Sequence, residues 1–424
     1  MKFLVAPLIW LVLCLPPADA IADDRVEAFQ LADGQTVVVL GDSITAGGHY
    51  VDCLDIFLTT RLPQWRITII NRGLSSETVA GTSEAGHPGG PRPDLHTRFA
   101  RTVPPLEPDV VIACYGMNDG IYRSLNEEIF AKYRAGVERL IERVRDEADA
   151  EIILCSPPPF DPRPRADRAA ENPQADNRPP ASDYDDTLAA FTRWLLGLRE
   201  RRITVIDLHT PLNDVLAARR TTDDEYLLAR DGVHQGRTGH LLMAAEILVA
   251  LHAPAVVEHF QLRADAASQA DSPAAWAFTL TSKLPMPQLA EWDEETIRLA
   301  RFQQRLNRYT LAISDLPPGE YRLSADGATF GRATAAQLAG GVDLHAYPQF
   351  PTFARAQQVA ELIQQASAIR KKLWIKDDPH PRLARSRQGL QNYQAIAADA
   401  EQLQRRARKL AQPQQIALRV EQAD

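Results

Sequence analysis

Five short runs of consecutive apolar, largely β-branched residues recur along the first half of the chain, and each ends in Gly or a polar residue. They are TVVVLGDS at 36–43, ITIINRG at 67–73, DVVIACYG at 109–116, EIILCS at 151–156 and ITVIDL at 203–208. A strand that is apolar at every position is covered on both faces, which is the habit of parallel sheets. Between the runs, apolar residues recur with helical spacing over 51–62, 127–147, 185–201 and 237–252. Strands alternating with helices in this way predict a doubly wound α/β domain. In such sheets ligands sit beyond the carboxyl ends of the strands, so chemistry is expected along that edge.

The chain has 424 residues. Domains commonly hold ~100–200 residues, so more than one is expected. Residues 1–20 have the pattern of a cleaved signal peptide: Lys2, the apolar run 3–15, then Ala18-Asp19-Ala20. The run falls short of the ~20 residues that span a bilayer. No integral membrane segment is then expected in the mature chain, and the protein is expected to be secreted or periplasmic. The catalytic unit is assigned to 21–258 and an accessory α+β region, of unknown role, to 259–424. In that region WAFTLTSKL, RYTLAISDL and EYRLSADG read as strands, the last with a hairpin at Asp326-Gly327, and 352–376 and 383–411 read as helices. The stretch 253–275 reads as the junction. Two connections are long, 74–108 and the proline-rich 157–182, and both follow strand ends that border the expected pocket.

The formal charge of −8 is a poor basis for nucleic-acid binding, which wants a basic patch. Cleavage would leave Cys53, Cys114 and Cys155, an odd number that makes no disulfide framework. Cys114 and Cys155 read as small buried hydrophobes, with a bridge between neighbouring strands left open. No phosphate loop, HExxH or paired CxxC is present, so no cofactor and no metal are expected.

Gly41-Asp42-Ser43 stands where the first strand ends and a helix should begin. A hydroxyl there needs a base to become a nucleophile, and a Ser at a helix start is equally an ordinary cap. Asp231-Gly232-Val233-His234 offers an imidazole to take the proton and a carboxylate three residues away to orient it. His209 and His240 are rivals more easily read as structural, and Asp42 and Asp207 are the other candidate carboxylates. An oxyanion needs donors aimed where its charge develops. The Ser43 and Gly73 backbone N–H groups and the Asn118 side chain, in Gly116-Met117-Asn118-Asp119, supply them at strand ends. Turn glycine and Asx cap are the plainer readings of Gly73 and Asn118.

Together the blocks Gly41-Asp42-Ser43, Asn71-Arg72-Gly73, Gly116-Met117-Asn118-Asp119 and Asp231-Gly232-Val233-His234 resemble those of the SGNH (GDSL) hydrolases, in order, over roughly 35–255. The resemblance implies a flavodoxin-like sheet and a Ser43–His234–Asp231 triad, with an oxyanion hole from Ser43, Gly73 and Asn118. The expected activity is hydrolysis of small acyl esters through an acyl-enzyme. The expected substrate class is a small acyl ester, with an O-acetyl group on a carbohydrate as the favoured case. A lysophospholipase or thioesterase acting on longer chains is the alternative within enzymes. A glycan-binding protein that keeps the fold without turnover is the alternative outside them.

Overall fold

The computed structural model describes residues 28–166, 180–269, 274–373 and 387–423. Residues 1–20, read as a signal peptide, and residues 167–179 of the proline-rich connection lie outside these. Strands β1 (Thr36–Gly41), β2 (Thr68–Asn71), β3 (Val110–Cys114), β4 (Glu151–Cys155) and β5 (Thr204–Ile206) form one parallel sheet in the order β2-β1-β3-β4-β5. This is the flavodoxin-like order, and its switch point lies between β1 and β3. All five residues of β3 are buried. Alternate residues of a strand face opposite sides, so both faces of the sheet are covered.

Helices α1 (Ser43–Gly47), α2 (His49–Arg61), α3 (Leu95–Thr102), α4 (Glu127–Ala148), α5 (Tyr184–Gly197), α6 (His209–Arg220) and α7 (Arg237–Ala250) fill the connections. Tyr133 of α4 stacks on Phe191 of α5 with ring centroids 4.0 Å apart, tying these two together. On α2, every residue from Cys53 to Arg61 is buried. The buried Arg61 guanidinium donates to the carbonyls of Pro254 (2.9 Å) and Leu306 (3.1 Å), locking the helix to later chain. Cys114 and Cys155 are register partners on β3 and β4, and both are free and buried. Burial raises both thiols above their usual range.

Beyond the sheet, β6 (Val256–Arg263), β7 (Ser268–Gln269), β8 (Ala275–Ser282), β9 (Arg308–Ser314), β10 (Glu320–Ala325), β11 (Ala328–Thr334), β12 (Val342–Asp343) and β13 (Gln414–Gln422) make two further sheets, β11-β10-β13-β8-β7 and β12-β9-β6. They share a second core containing Tyr309, Leu311, Tyr321, Leu323, Leu418 and Val420. Asp326 and Gly327, both at positive φ, turn the β10–β11 hairpin. Strands β6, β7, β12 and β13 fall where no strand was expected. β6 begins at Val256, inside the stretch read as a junction, and crosses the 258/259 boundary. β13 closes the chain at the centre of its sheet.

The remaining helices are α8 (Glu294–Leu299), α9 (Phe302–Leu306), α10 (Ala335–Gly340), α11 (Pro351–Leu373) and α12 (Arg387–Ala411). Ala356, Val359, Ile363, Ala407 and Ala411 of α11 and α12 belong to the same core as the parallel sheet. Gln404 of α12 donates to both carboxylate oxygens of Asp55 on α2, at 2.8 and 3.1 Å. The last two long helices thus return to cover the first domain.

Candidate active site

At the end of β1 the chain turns straight into α1. Asp42 caps that helix, its carboxylate accepting from the Ile44 N–H at 2.9 Å. Ser43 is therefore the first helical residue, at the carboxyl edge of the sheet and beside the switch point. Asp42 is buried, and burial pushes its carboxyl up to about 6 against the hydrogen bond from Ile44.

The loop before α7 brings His234 to the same place. His234 Nε2 lies 2.8 Å from Ser43 Oγ, and His234 Nδ1 lies 2.7 Å from Asp231 Oδ2. The other oxygen, Asp231 Oδ1, accepts from the backbone N–H groups of Val233 (3.0 Å) and His234 (2.7 Å). Both carboxylate oxygens are thus held, and the imidazole has one orientation. Gly232 makes the turn tight at φ +79°, where a Cβ would collide with the Asp161 carbonyl. The Asp231 hydrogen bond raises the His234 imidazole, and burial opposes it. Burial also acts against Asp231, but the bonds from His234 and the two backbone amides outweigh it and hold the carboxyl below the usual range. An imidazole so placed, Nδ1–H toward the carboxylate, presents a lone pair to the Ser43 hydroxyl.

The rivals sit elsewhere. His209 bonds Asp185 at 3.1 Å, and Asp207 accepts from the Thr210 N–H at 3.0 Å at the start of α6. His240 is buried between His49 and Tyr50, and burial lowers its imidazole to about 3.

Asn118 lines the cavity with Ser43 and His234. Its Oδ1 accepts from Arg92 Nη1 (3.0 Å) and the Tyr122 hydroxyl (3.1 Å), while its Nδ2 donates to the Glu77 carbonyl at 3.3 Å. Two donors on one oxygen fix which end of the amide is oxygen, and leave the second Nδ2 hydrogen for the site. Gly73 is more equivocal. A Cβ there would collide with the Ala46 backbone nitrogen, so only glycine fits against α1. Its N–H, however, donates to Asn71 Oδ1 at 2.9 Å, and Asn71 Nδ2 in turn holds the Thr45 carbonyl at 2.6 Å. Service to an oxyanion would require Gly73 to share that hydrogen.

Other residues of the site lie outside every motif. Arg92 is clamped by Glu84 through two 2.6 Å bonds. The loop carrying both is anchored by the buried Asp119, whose Oδ1 accepts from Val79 and Ala80 at 2.8 Å each. Burial pushes the Asp119 carboxyl up to about 7. Ile121 and Tyr122 follow at φ +45° and +56°, a strained pair that turns the chain along the cavity wall. The cavity itself measures about 840 Å³ and is also lined by Ser75, Ser76, His87, Arg123 and Arg165. No spacing in the sequence marks Arg92, Glu84, Tyr122 or Arg165: Glu84, Arg92 and Arg165 come from the two long connections, and Tyr122 from the turn after Gly116-Met117-Asn118-Asp119.

Residues 39–242 match the family described as GDSL-like lipase/acylhydrolase. Among solved structures, a gut microbial diltiazem-metabolizing enzyme superposes with a TM-score of 0.75 at 17% identity, over 93% of this chain and 98% of that one. A lipolytic protein of the G-D-S-L family from Desulfitobacterium hafniense matches with a TM-score of 0.34 at 21% identity, over 51% of this chain and 99% of its own. An arylesterase from Agrobacterium tumefaciens matches with a TM-score of 0.35 at 16% identity, over 50% and 96%. The first of these extends the fold likeness through the tail. No curated protein matches the sequence.

Proposed function

Through residues 39–242 the protein belongs to the GDSL-like lipase/acylhydrolase family of the SGNH superfamily and is a carboxylic ester hydrolase, and from that premise we propose that it works through a Ser43–His234–Asp231 triad. The observation that carries this reading is the unbroken chain from Asp231 Oδ2 through His234 to Ser43 Oγ, 2.7 and 2.8 Å, opening on the cavity.

Ser43 Oγ attacks the acyl carbonyl as its proton passes to His234 Nε2. Asp231 stabilises the imidazolium so formed. The oxyanion rests on the Ser43 N–H and the Asn118 Nδ2–H, with the Gly73 N–H shared between it and Asn71. Collapse expels the alcohol, which takes the proton from His234, and leaves an acyl group on Ser43. Water then attacks, gives its proton to His234, and the acid departs as Ser43 Oγ is reprotonated.

The cavity wall carries three Ser, two His, three Arg and Glu84, which suits a short acyl group on a polar alcohol better than a long acyl chain. An O-acetyl ester, on a carbohydrate, is the substrate class this favours. We infer from residues 1–20, read as an export signal, that the enzyme acts outside the cytoplasm. Among the described residues, no helix is long and apolar enough to cross a membrane.

Ser43→Ala should abolish turnover of p-nitrophenyl acetate and labelling by a fluorophosphonate while leaving the melting profile intact. A variant that keeps most of the wild-type kcat would remove Ser43 as the nucleophile.

A further inference from the structure

Hydrolysis as described leaves two guanidinium groups at the cavity without a task. The charged side chains lining it are Glu84, Arg92, Arg123 and Arg165, beside the imidazoles of His87 and His234. Glu84 and Arg92 neutralise each other at 2.6 Å. Among the described residues, no carboxylate pairs with Arg123 or Arg165. The surplus is local, since the chain as a whole carries −8.

Arg165 is the better placed of the two. Its Nε donates to the backbone carbonyl of Asp231 at 2.8 Å, which fixes the guanidinium against the loop bearing His234. The segment that carries it is itself tied to that loop. Asp161 N–H donates to the Gly232 carbonyl at 2.9 Å, Gln235 Nε2 to the Pro159 carbonyl at 3.1 Å, and Arg220 to the Asp161 carboxylate at 2.5 Å. Arg165 lines the cavity together with His234 and Tyr122, so it lies over the cavity rather than away from it.

A lone cation beside the base is unfavourable for the first step. It opposes the imidazolium that Asp231 is there to stabilise. That cost disappears if the substrate brings an anion to Arg165. The planar guanidinium matches the two oxygens of an oxyacid, and among the described residues only its Nε is engaged.

We propose that the cavity takes esters bearing an anionic oxyacid group, a carboxylate or a sulfonate-like group, near the scissile bond, with Arg165 as the residue that binds it and Arg123 adding attraction from the exposed rim. The proposal rests on the esterase reading above and names the substrate class for the same site.

The test compares acetyl esters of methyl para-hydroxybenzoate, para-hydroxybenzoate and para-hydroxybenzenesulfonate. The proteins are the full-length wild type, Arg165→Gln, Arg165→Lys and Arg123→Gln. The readout is the ratio of kcat/KM on each charged ester to that on the neutral one, which divides out any loss common to all. In Arg165→Gln the ratio should fall about tenfold or more, as for a lost hydrogen bond to a charged group. Arg123→Gln should lower it less, Arg165→Lys should restore part of it, and added salt should reduce it in the wild type. The ester that loses more identifies the preferred oxyacid. An unchanged ratio in Arg165→Gln, or an equal loss on all three esters, overturns the proposal, the latter by making Arg165 a prop for the loop. Wild-type turnover of the neutral ester with no charge dependence defeats this inference alone. No wild-type turnover of any of the three, with no labelling of Ser43, defeats the esterase reading and this inference with it.

Discussion

In the parallel sheet every residue of Val110–Cys114 is buried, whereas Glu320–Ala325 in the antiparallel tail sheet buries Tyr321, Leu323 and Ala325 and exposes Glu320 and Arg322. The contrast comes from connectivity. Parallel strands need crossover helices, which cover both faces and send every loop at one edge to the same place. Ser43, Gly73 and Asn118 follow three neighbouring strands and so converge without being near in sequence. Antiparallel strands are joined by tight hairpins such as Asp326-Gly327, which spend their turn residues on geometry. The solvent face of the tail sheet instead carries ion pairs such as Arg322–Glu421 at 2.6 Å. Exposed pairs of this kind are worth at most ~1 kcal/mol each. If the division of labour is right, substitutions at the parallel edge should cost rate, and substitutions in the tail should cost stability alone.

The largest effect after loss of the nucleophile is expected at Asp231. Asp231→Asn removes the carboxylate and offers Nδ1 an amide that can select the wrong tautomer, so kcat should fall by about 10⁴. The pH profile supplies a second readout. His234 must be neutral to accept the proton, and its pKa is raised by the Asp231 hydrogen bond. The acidic limb of kcat/KM in the wild type should therefore lie above the ordinary imidazole value, and in Asp231→Asn it should move to lower pH. A limb that stays put while kcat remains near wild type would remove Asp231 from the triad and blur the contrast between the two sheets.

Asn118→Ala should lower kcat by about 10²–10³ with little change in KM, because its donor acts on the charge that develops in the transition state. An effect confined to KM would make Asn118 a substrate-binding residue. A smaller effect is expected one step out. Arg92 holds Asn118 Oδ1 at 3.0 Å, so Arg92→Met should cost about tenfold in kcat, the value of one hydrogen bond from a charged donor. That loss should largely vanish in an Asn118→Ala background, because the two residues act through one amide. Additive losses would mean that Arg92 does not work through Asn118.

What could be read from the sequence divides along the same line. The five strands of the parallel sheet are legible because each is a continuous apolar run, and their ends locate Ser43, Gly73 and Asn118 without any pair of them being close in sequence. His234 is legible from its local partner Asp231. Arg92, Glu84, Tyr122 and Arg165 are not, because their positions depend on tertiary anchors such as Asp119 gripping Val79 and Ala80 across forty residues of chain. In the tail, β6 begins just after Pro254 and runs into ADAASQADSPAA, whose small and polar residues make the whole stretch read as a junction. β13 has its partners, β8 and β10, about a hundred residues or more away along the chain, and nothing local announces it. The oxyanion role expected of the Gly73 N–H shows a different limit. Its place at a strand end was visible, but its hydrogen bond to Asn71 depends on a side-chain rotamer.

The smallest expected effect on rate is also the sharpest test of the contrast, since it probes the seam between the two parts. Gln404 on α12 donates to Asp55 on α2 at 2.8 and 3.1 Å, and both are buried. Burial raises the Asp55 carboxyl, with Arg370, 3.9 Å away, and Gln404 opposing that rise. Gln404→Leu withdraws the neutral donor and leaves the carboxylate less satisfied, at a cost of about 1–3 kcal/mol in unfolding free energy. The pH dependence has a definite sign. Asp55 is less easily ionised in the folded state than in the unfolded one, and losing Gln404 widens that gap. The folded variant therefore pays most where Asp55 is charged, and its deficit should shrink as pH falls and the carboxyl takes up its proton. Urea unfolding of wild type and variant near about pH 8 and again near about pH 5 measures it. Turnover of a short-chain ester should stay at the wild-type level in both conditions, because Asp55 and Gln404 lie outside the cavity. A drop in kcat with no loss of stability would show that α12 shapes the active site through α2, and the tail would then be part of the catalytic machinery rather than a cover for it.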